Sequence, residues 1–234
     1  MSQTAFAAAA GVIAVAMGMA TFDRYLARRR PHELAWSLAL LFFAIASFAL
    51  ALGARHGWNG FIFRTFFLFG AIINVPVLAL GSLLLVYRDN PKRAQLCIYI
   101  VSAFCIFSAG VIISTPFTHP LPQSELAKGS EVFGALPRIL AAVGSGVSAV
   151  AIIAIAISSA LKSRASRYTL GNALIALGTA VTGMSGLLNS VVGEMNAFSI
   201  TLAVGIAIIF SGFLVVTVPG TNRQGDTLSY LQHA

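Results

Sequence analysis

The stretch 28–53, RRRPHELAWSLALLFFAIASFALALG, decides how the chain is read. Three arginines and a proline come first. One histidine and one glutamate follow, and then an apolar run from 34 to 53 without a charge. About 20 such residues are what a helix needs to cross a bilayer. A basic cluster abutting such a run marks the side of a membrane that retains positive charge. Pro31 ends whatever helix precedes it. Glu33 falls in the first turn of the next helix, where the helix dipole favours an acid. Trp36 and Tyr25 suit the headgroup level on either side of the cluster.

The whole chain has the same character. Its 234 residues are 58% hydrophobic and 9% charged, and the mean hydropathy is +0.87. Soluble domains carry about 25% charged residues, so an integral membrane protein is expected. The net charge of +8 is spread in short clusters between apolar runs, which disfavours nucleic acid as a partner. Cys97 and Cys105 share one apolar segment at a spacing that places them about 12 Å apart along a helix. That is too far for a disulfide between them.

Working outward from 34–53, seven spans are expected at about 4–22, 34–53, 61–87, 94–115, 136–161, 168–192 and 195–218, with a short tail over 219–234. The first has the length of a signal peptide. Its charges, Asp23, Arg24 and Arg28 to Arg30, follow the apolar run instead of preceding it, so it reads as an uncleaved anchor. Loops after the odd-numbered spans hold Arg24, Arg28, Arg29, Arg30, Arg88, Lys92, Arg93, Lys162, Arg164 and Arg167, and the tail adds Arg223. The other side holds Arg55, Arg64, Lys128 and Arg138. Eleven of the 15 basic residues thus lie on one side, which predicts the N-terminus outside and the C-terminus inside the plasma membrane. Arg28, Arg29 and Arg30 would sit against anionic lipid, each contributing about 1 kcal/mol.

Spans 1–3 and 5–7 run in the same direction if span 4 acts as an inverter, a three-one-three arrangement met in small transporters. Span 6 carries Gly178, Thr182 and Gly186 at intervals of four, one stripe on a helix. Such a stripe lets helices approach closely in lipid. It suits a neighbour within the chain, a solute path, or another membrane protein.

The expected spans exclude several chemistries. They contain no lysine, no histidine and no acid at mid-depth, so a Schiff base, paired haem ligands and a coupling carboxylate are absent. No Walker motif, HExxH or GxSxG is present. An energised pump or an intramembrane hydrolase is therefore disfavoured, and neither enzyme nor cofactor is expected. The notable polar residue at mid-depth is Asn74 in AIINVPVLALG. Pro76 follows it and should kink the helix and free a carbonyl one turn back.

Polar groups gather at the expected outer rim. Arg64 opens span 3. The long connection TPFTHPLPQSELAKGSEVFGALPR, residues 115–138, brings His119, Glu125, Lys128, Glu131 and Arg138. Asn189, Glu194 and Asn196 flank the last turn. Arg64, Asn74, Glu131, Arg138, Asn189 and Glu194 are the candidate ligand-binding residues, with Arg64 expected to pair with Glu194 or Glu131. The spacing of His119, Glu125 and Glu131 matches no metal motif. Four prolines stiffen the connection, and Pro137 suits the first turn of span 5.

The stretches RRRPHELAW, FRTFFLFGAIINVPVLALGSL, GSEVFGALPRILAAVGSGV and GLLNSVVGEMNAF resemble a group of small actinobacterial seven-span membrane proteins. That group brings no activity with it. A fainter similarity is to the seven-span sensor modules that precede bacterial histidine kinases, although this chain carries no kinase or other output domain. The resemblance implies a bacterial multi-pass protein. Two readings follow from the residues: a facilitative small-solute permease or binder, and a receptor-like or accessory subunit of a larger membrane complex.

Overall fold

The computed structural model describes residues 2–121, 129–162 and 195–217, and between the last two 170–171, 173–175, 177–178 and 181–182. All regular structure among them is helical. The long elements are α1 (Ser2–Arg28), α2 (Pro31–His56), α3 (Gly60–Phe66), a π-helical segment (Phe67–Ile72), α4 (Asn74–Val86), α5 (Pro91–Ser114), α7 (Ala135–Lys162) and α8 (Met195–Thr217); α6 is the single turn Gly129–Val132.

Five stretches among the described residues are long and apolar enough to cross a membrane: Thr4–Arg28, Pro31–His56, Gly60–Val86, Pro91–Ser114 and Ala135–Ser158. They coincide with the first five expected spans. The 23-residue α8 lies where the seventh was expected, while most of the expected sixth lies outside the described residues. Their outward surface is apolar. On α5, Leu96, Ile100, Ile106, Phe107 and Ile113 are each more than half exposed, and only Ser108 and Ile112 are buried. Water would tolerate no such surface, whereas lipid does. These features suggest a membrane protein.

Among the described elements, the hairpin of α1 and α2 is the most extensive contact. Arg29 takes a left-handed conformation with φ 52°, and Pro31 occupies the first turn of α2, so the chain reverses within two residues. Small side chains allow the two helices to touch. Ala7, Ala10 and Ala14 are sealed, and Gly18 lies against Leu40. The Ser37 hydroxyl donates to the Gly18 carbonyl at 3.0 Å. In lipid, close packing and such hydrogen bonds are what hold helices together.

Around this hairpin, α2 packs on α3, the π segment and α4. In turn α4 packs on α7, and α1 on α8. α8 also meets the small stripe of the expected sixth span. Gly178 lies directly on Gly205 and Ile209 of α8, and Thr182 on Gly205. Those two members of the stripe are engaged within the chain; Gly186 lies outside the described residues.

Candidate functional site

The bundle has two chemically different ends. The cap end carries Trp58, Arg64 and the connection after α5. The basic end carries Arg24, Arg28 to Arg30, His32, Glu33 and Arg88.

At the cap end, Asn59 accepts from the Ile62 amide and starts α3. That helix presents Phe63 to the core, and the π segment that follows it presents Phe67. The chain leaving α5 folds back over them. Thr118 donates its amide to the Val132 carbonyl at 2.9 Å. Its hydroxyl donates to the same oxygen at 3.0 Å. His119 Nδ1 lies 2.8 Å from the Glu131 carbonyl. These bonds clip 117–119 to the carbonyls of α6, so the described parts of the connection, 115–121 and 129–138, fold over the core as a cap. Phe117 and Phe133 drop from it onto Phe63, with ring centroids at 6.2 and 5.4 Å, and Phe133 also meets Phe67 at 5.1 Å. Phe63 and Phe133 are almost fully buried.

Arg64 sits under this cap, half-buried. It donates through Nη1 to the Ile112 carbonyl at the end of α5. Its Cζ lies 4.3 Å from the centroid of Phe117 and 5.8 Å from that of Phe133. The expected pairing with Glu131 does not form. α6 turns the Glu131 carbonyl toward Thr118 and His119, and its side chain is exposed. A cation beside aromatic rings is held by the ring quadrupole, and among the described residues this contact and the Ile112 carbonyl are what Arg64 meets. Arg138 is exposed on the first turn of α7. Asn189 and Glu194 lie outside the described residues.

Below the cap, the third apolar stretch is broken. The π segment Phe67–Ile72 ends at Ile73, whose amide reaches back five residues to Leu68 at 3.0 Å. α4 then restarts at Asn74. Proline 76 has no amide hydrogen to offer the Ile72 carbonyl, and widening the helix one turn earlier absorbs its ring. The break is answered by α7. Ser145 donates its hydroxyl to the Ala71 carbonyl at 2.6 Å. Gly144 lies against the Ile72 carbonyl and the Phe104 ring, where a Cβ would approach to 2.9 and 2.8 Å. Asn74 is half-buried beside the break, and its amide makes no side-chain hydrogen bond among the described residues. The interior at this level is closely packed.

Sequence reasoning took the basic end for an orientation signal and missed its buried acid. Glu33 is 3% exposed, and its Oε2 has no hydrogen-bond partner among the described residues. Arg24 is near enough to interact with it electrostatically and donates to the Thr21 hydroxyl at 3.2 Å. His32 stands edge-on to Trp36 at 5.1 Å, and the Trp36 indole lies against Gly81, where an added Cβ would clash with it. The Phe-rich run FIFRTFFLF and the phenylalanines within the 115–138 connection, Phe117 and Phe133, are a legible sign of the aromatic cap. No local signal pointed to Ser145 as the partner of the break.

Among the described residues no group of three histidine, cysteine or acidic side chains could hold a metal ion. No protein family, curated protein or solved structure matches the chain.

Proposed function

We propose that the chain is a seven-span plasma-membrane protein, N-terminus outside, that binds or passes a small solute at its cap end by facilitated diffusion. The observation that carries this reading is the interrupted third apolar helix. Its Ala71 carbonyl accepts from Ser145 of another helix, below the capped Arg64. Non-helical backbone at membrane depth is tolerated where protein or a cavity satisfies it, and broken helices supply the polar midpoint of many transporters. Phe63, Phe133 and the contact of Gly144 with Phe104 fill the path between cap and break. On this reading the described conformation is a closed one, and transport would require the aromatic cap to part. The charge asymmetry supports the orientation, and the peripheral position of α5 suits an inverter in a three-one-three arrangement. Arg28, Arg29 and Arg30 would then meet anionic lipid on the cytoplasmic side.

The test is solute flux into liposomes containing the purified chain, measured for glycerol, urea, benzoate and potassium against empty liposomes. No flux above background for all four removes the permease reading.

One observation favours the alternative of an accessory subunit. α5 exposes apolar side chains on nearly every face, a surface that another membrane protein could cover. Co-purification from native membrane with mass spectrometry tests it, and a chain recovered alone counts against it.

A further inference from the structure

The third apolar stretch holds one residue more than an α-helical turn takes, and that surplus sets the rotation of everything on its cap side. The Ile73 amide reaches back five residues to the Leu68 carbonyl at 3.0 Å. Recovering the ordinary four-residue repeat would turn α3 by about 100° against α4, one residue's share of a helical turn. A π turn is rare and persists where its surroundings hold it. Two neighbours on α7 do so here. Ser145 donates to the Ala71 carbonyl at 2.6 Å. Gly144 leaves room for the Ile72 carbonyl, which an added Cβ would approach to 2.9 Å. Pro76 acts in the same sense, because in the four-residue repeat its ring meets the Ile72 carbonyl. The rotation in turn decides the cap contacts. In the π register Phe63 and Phe67 meet Phe133, with ring centroids at 5.4 and 5.1 Å, and Arg64 reaches the Ile112 carbonyl. A turn of about 100° takes the face that carries Phe63 and Arg64 away from these partners.

We propose that the π segment is a register switch for the aromatic cap: the five-residue repeat, held by Ser145, seats the cap, and the four-residue repeat releases it. The switch rests on the reading of the cap as the part that opens. Ser145 is a positioning residue in it. Its bond to the break acts on Phe63 about two helical turns away, through the rotation of the stretch between them.

The experiment is N-ethylmaleimide labelling of the detergent-purified full chain, in parallel with the flux measurement. One set of chains carries Val132→Cys, at a position buried under the cap, with Cys97 and Cys105 replaced by serine. A second set keeps Cys97, half-buried near the basic end of α5, as the measure of general loosening, with Cys105 replaced by serine. Ser145→Ala should speed labelling at position 132 by at least about fivefold, the size expected from losing one buried hydrogen bond, and leave that of Cys97 unchanged. Pro76→Ala gives the Ile72 carbonyl an amide and should act in the same direction. Deleting Gly70 removes the surplus residue and keeps the cap side in its seated rotation. Labelling at position 132 should then be slower than in the parent chain and no longer respond to Ser145→Ala. If Ser145→Ala or the deletion does not fold, Pro76→Ala compared at the two positions decides. Unchanged labelling at position 132 in either folded substitution overturns the proposal. An equal rise at position 132 and at Cys97 also overturns it, because that is loss of packing throughout. The same response to Ser145→Ala in a folded deletion chain does so too. A working switch without flux removes the permease reading and leaves the switch. Flux with unchanged labelling removes the switch and leaves the permease reading.

Discussion

At the scale of single residues, what matters is which polar groups the bundle leaves uncompensated. Glu33 is the clearest case. A buried carboxylate with an unpartnered oxygen costs several kcal/mol less any benefit from its place in the first turn of α2. Glu33→Met should therefore raise stability by about 1 kcal/mol, read as a higher melting temperature in detergent. A fall of similar size would show that the carboxylate holds a partner in solution. Gly81 tests the opposite limit. Its missing side chain is filled by the Trp36 indole, so Gly81→Ala must push the ring off α4. The expected cost is about 1–3 kcal/mol, as for overpacking a tight core, and Trp36→Ala in the same chain should recover part of it. Additive losses in that double variant would mean that the two residues do not share the site.

At the scale of elements, the broken third helix is the informative one. Pro76 in the sequence announces a kink, and the π segment lies one turn before it. The partner of the break is legible only once α7 is in place, because Ser145 is 74 residues away in the chain. Ser145→Ala leaves the Ala71 carbonyl without its side-chain donor and should cost about 1–3 kcal/mol, the penalty of an unsatisfied buried group. Ser145→Thr keeps the hydroxyl and adds one methyl beside Gly144. Equal melting temperatures for wild type and Ser145→Ala would show that the bond is not used. The cap shows the same division. Its prolines predict a stiff connection, whereas its described part is held by bonds from Thr118 and His119 to the carbonyls of α6.

At the scale of the whole molecule, charge and hydropathy make a claim about sides. Cysteines introduced at Ser2 and Ser229, in a chain with Cys97 and Cys105 replaced by serine, should react with a membrane-impermeant maleimide from opposite faces. Ser2→Cys should label in intact cells, and Ser229→Cys only after permeabilisation. Labelling of both from one side would break the alternation on which seven spans depend. The small stripe illustrates what pattern leaves open. Gly178, Thr182 and Gly186 are equally suited to a neighbour in the chain and to a foreign helix, and the structure seats the first two on α8.

The sequence by itself determined the class, the five described membrane-length helices, the broken third helix and the polarity of the two ends. These follow from local quantities: runs of apolar residues, the missing amide of proline, and the position of each arginine relative to the nearest run. Only the tertiary structure decided what each polar group meets. It set Arg64 on phenylalanine and a carbonyl and left Glu131 apart from it, answered the break with Ser145, and buried Glu33 in an end that reads as surface. In lipid every helix looks apolar along its whole length, so pattern cannot say which faces touch. Helix packing makes that choice through close approach of small residues and a few hydrogen bonds distant in sequence.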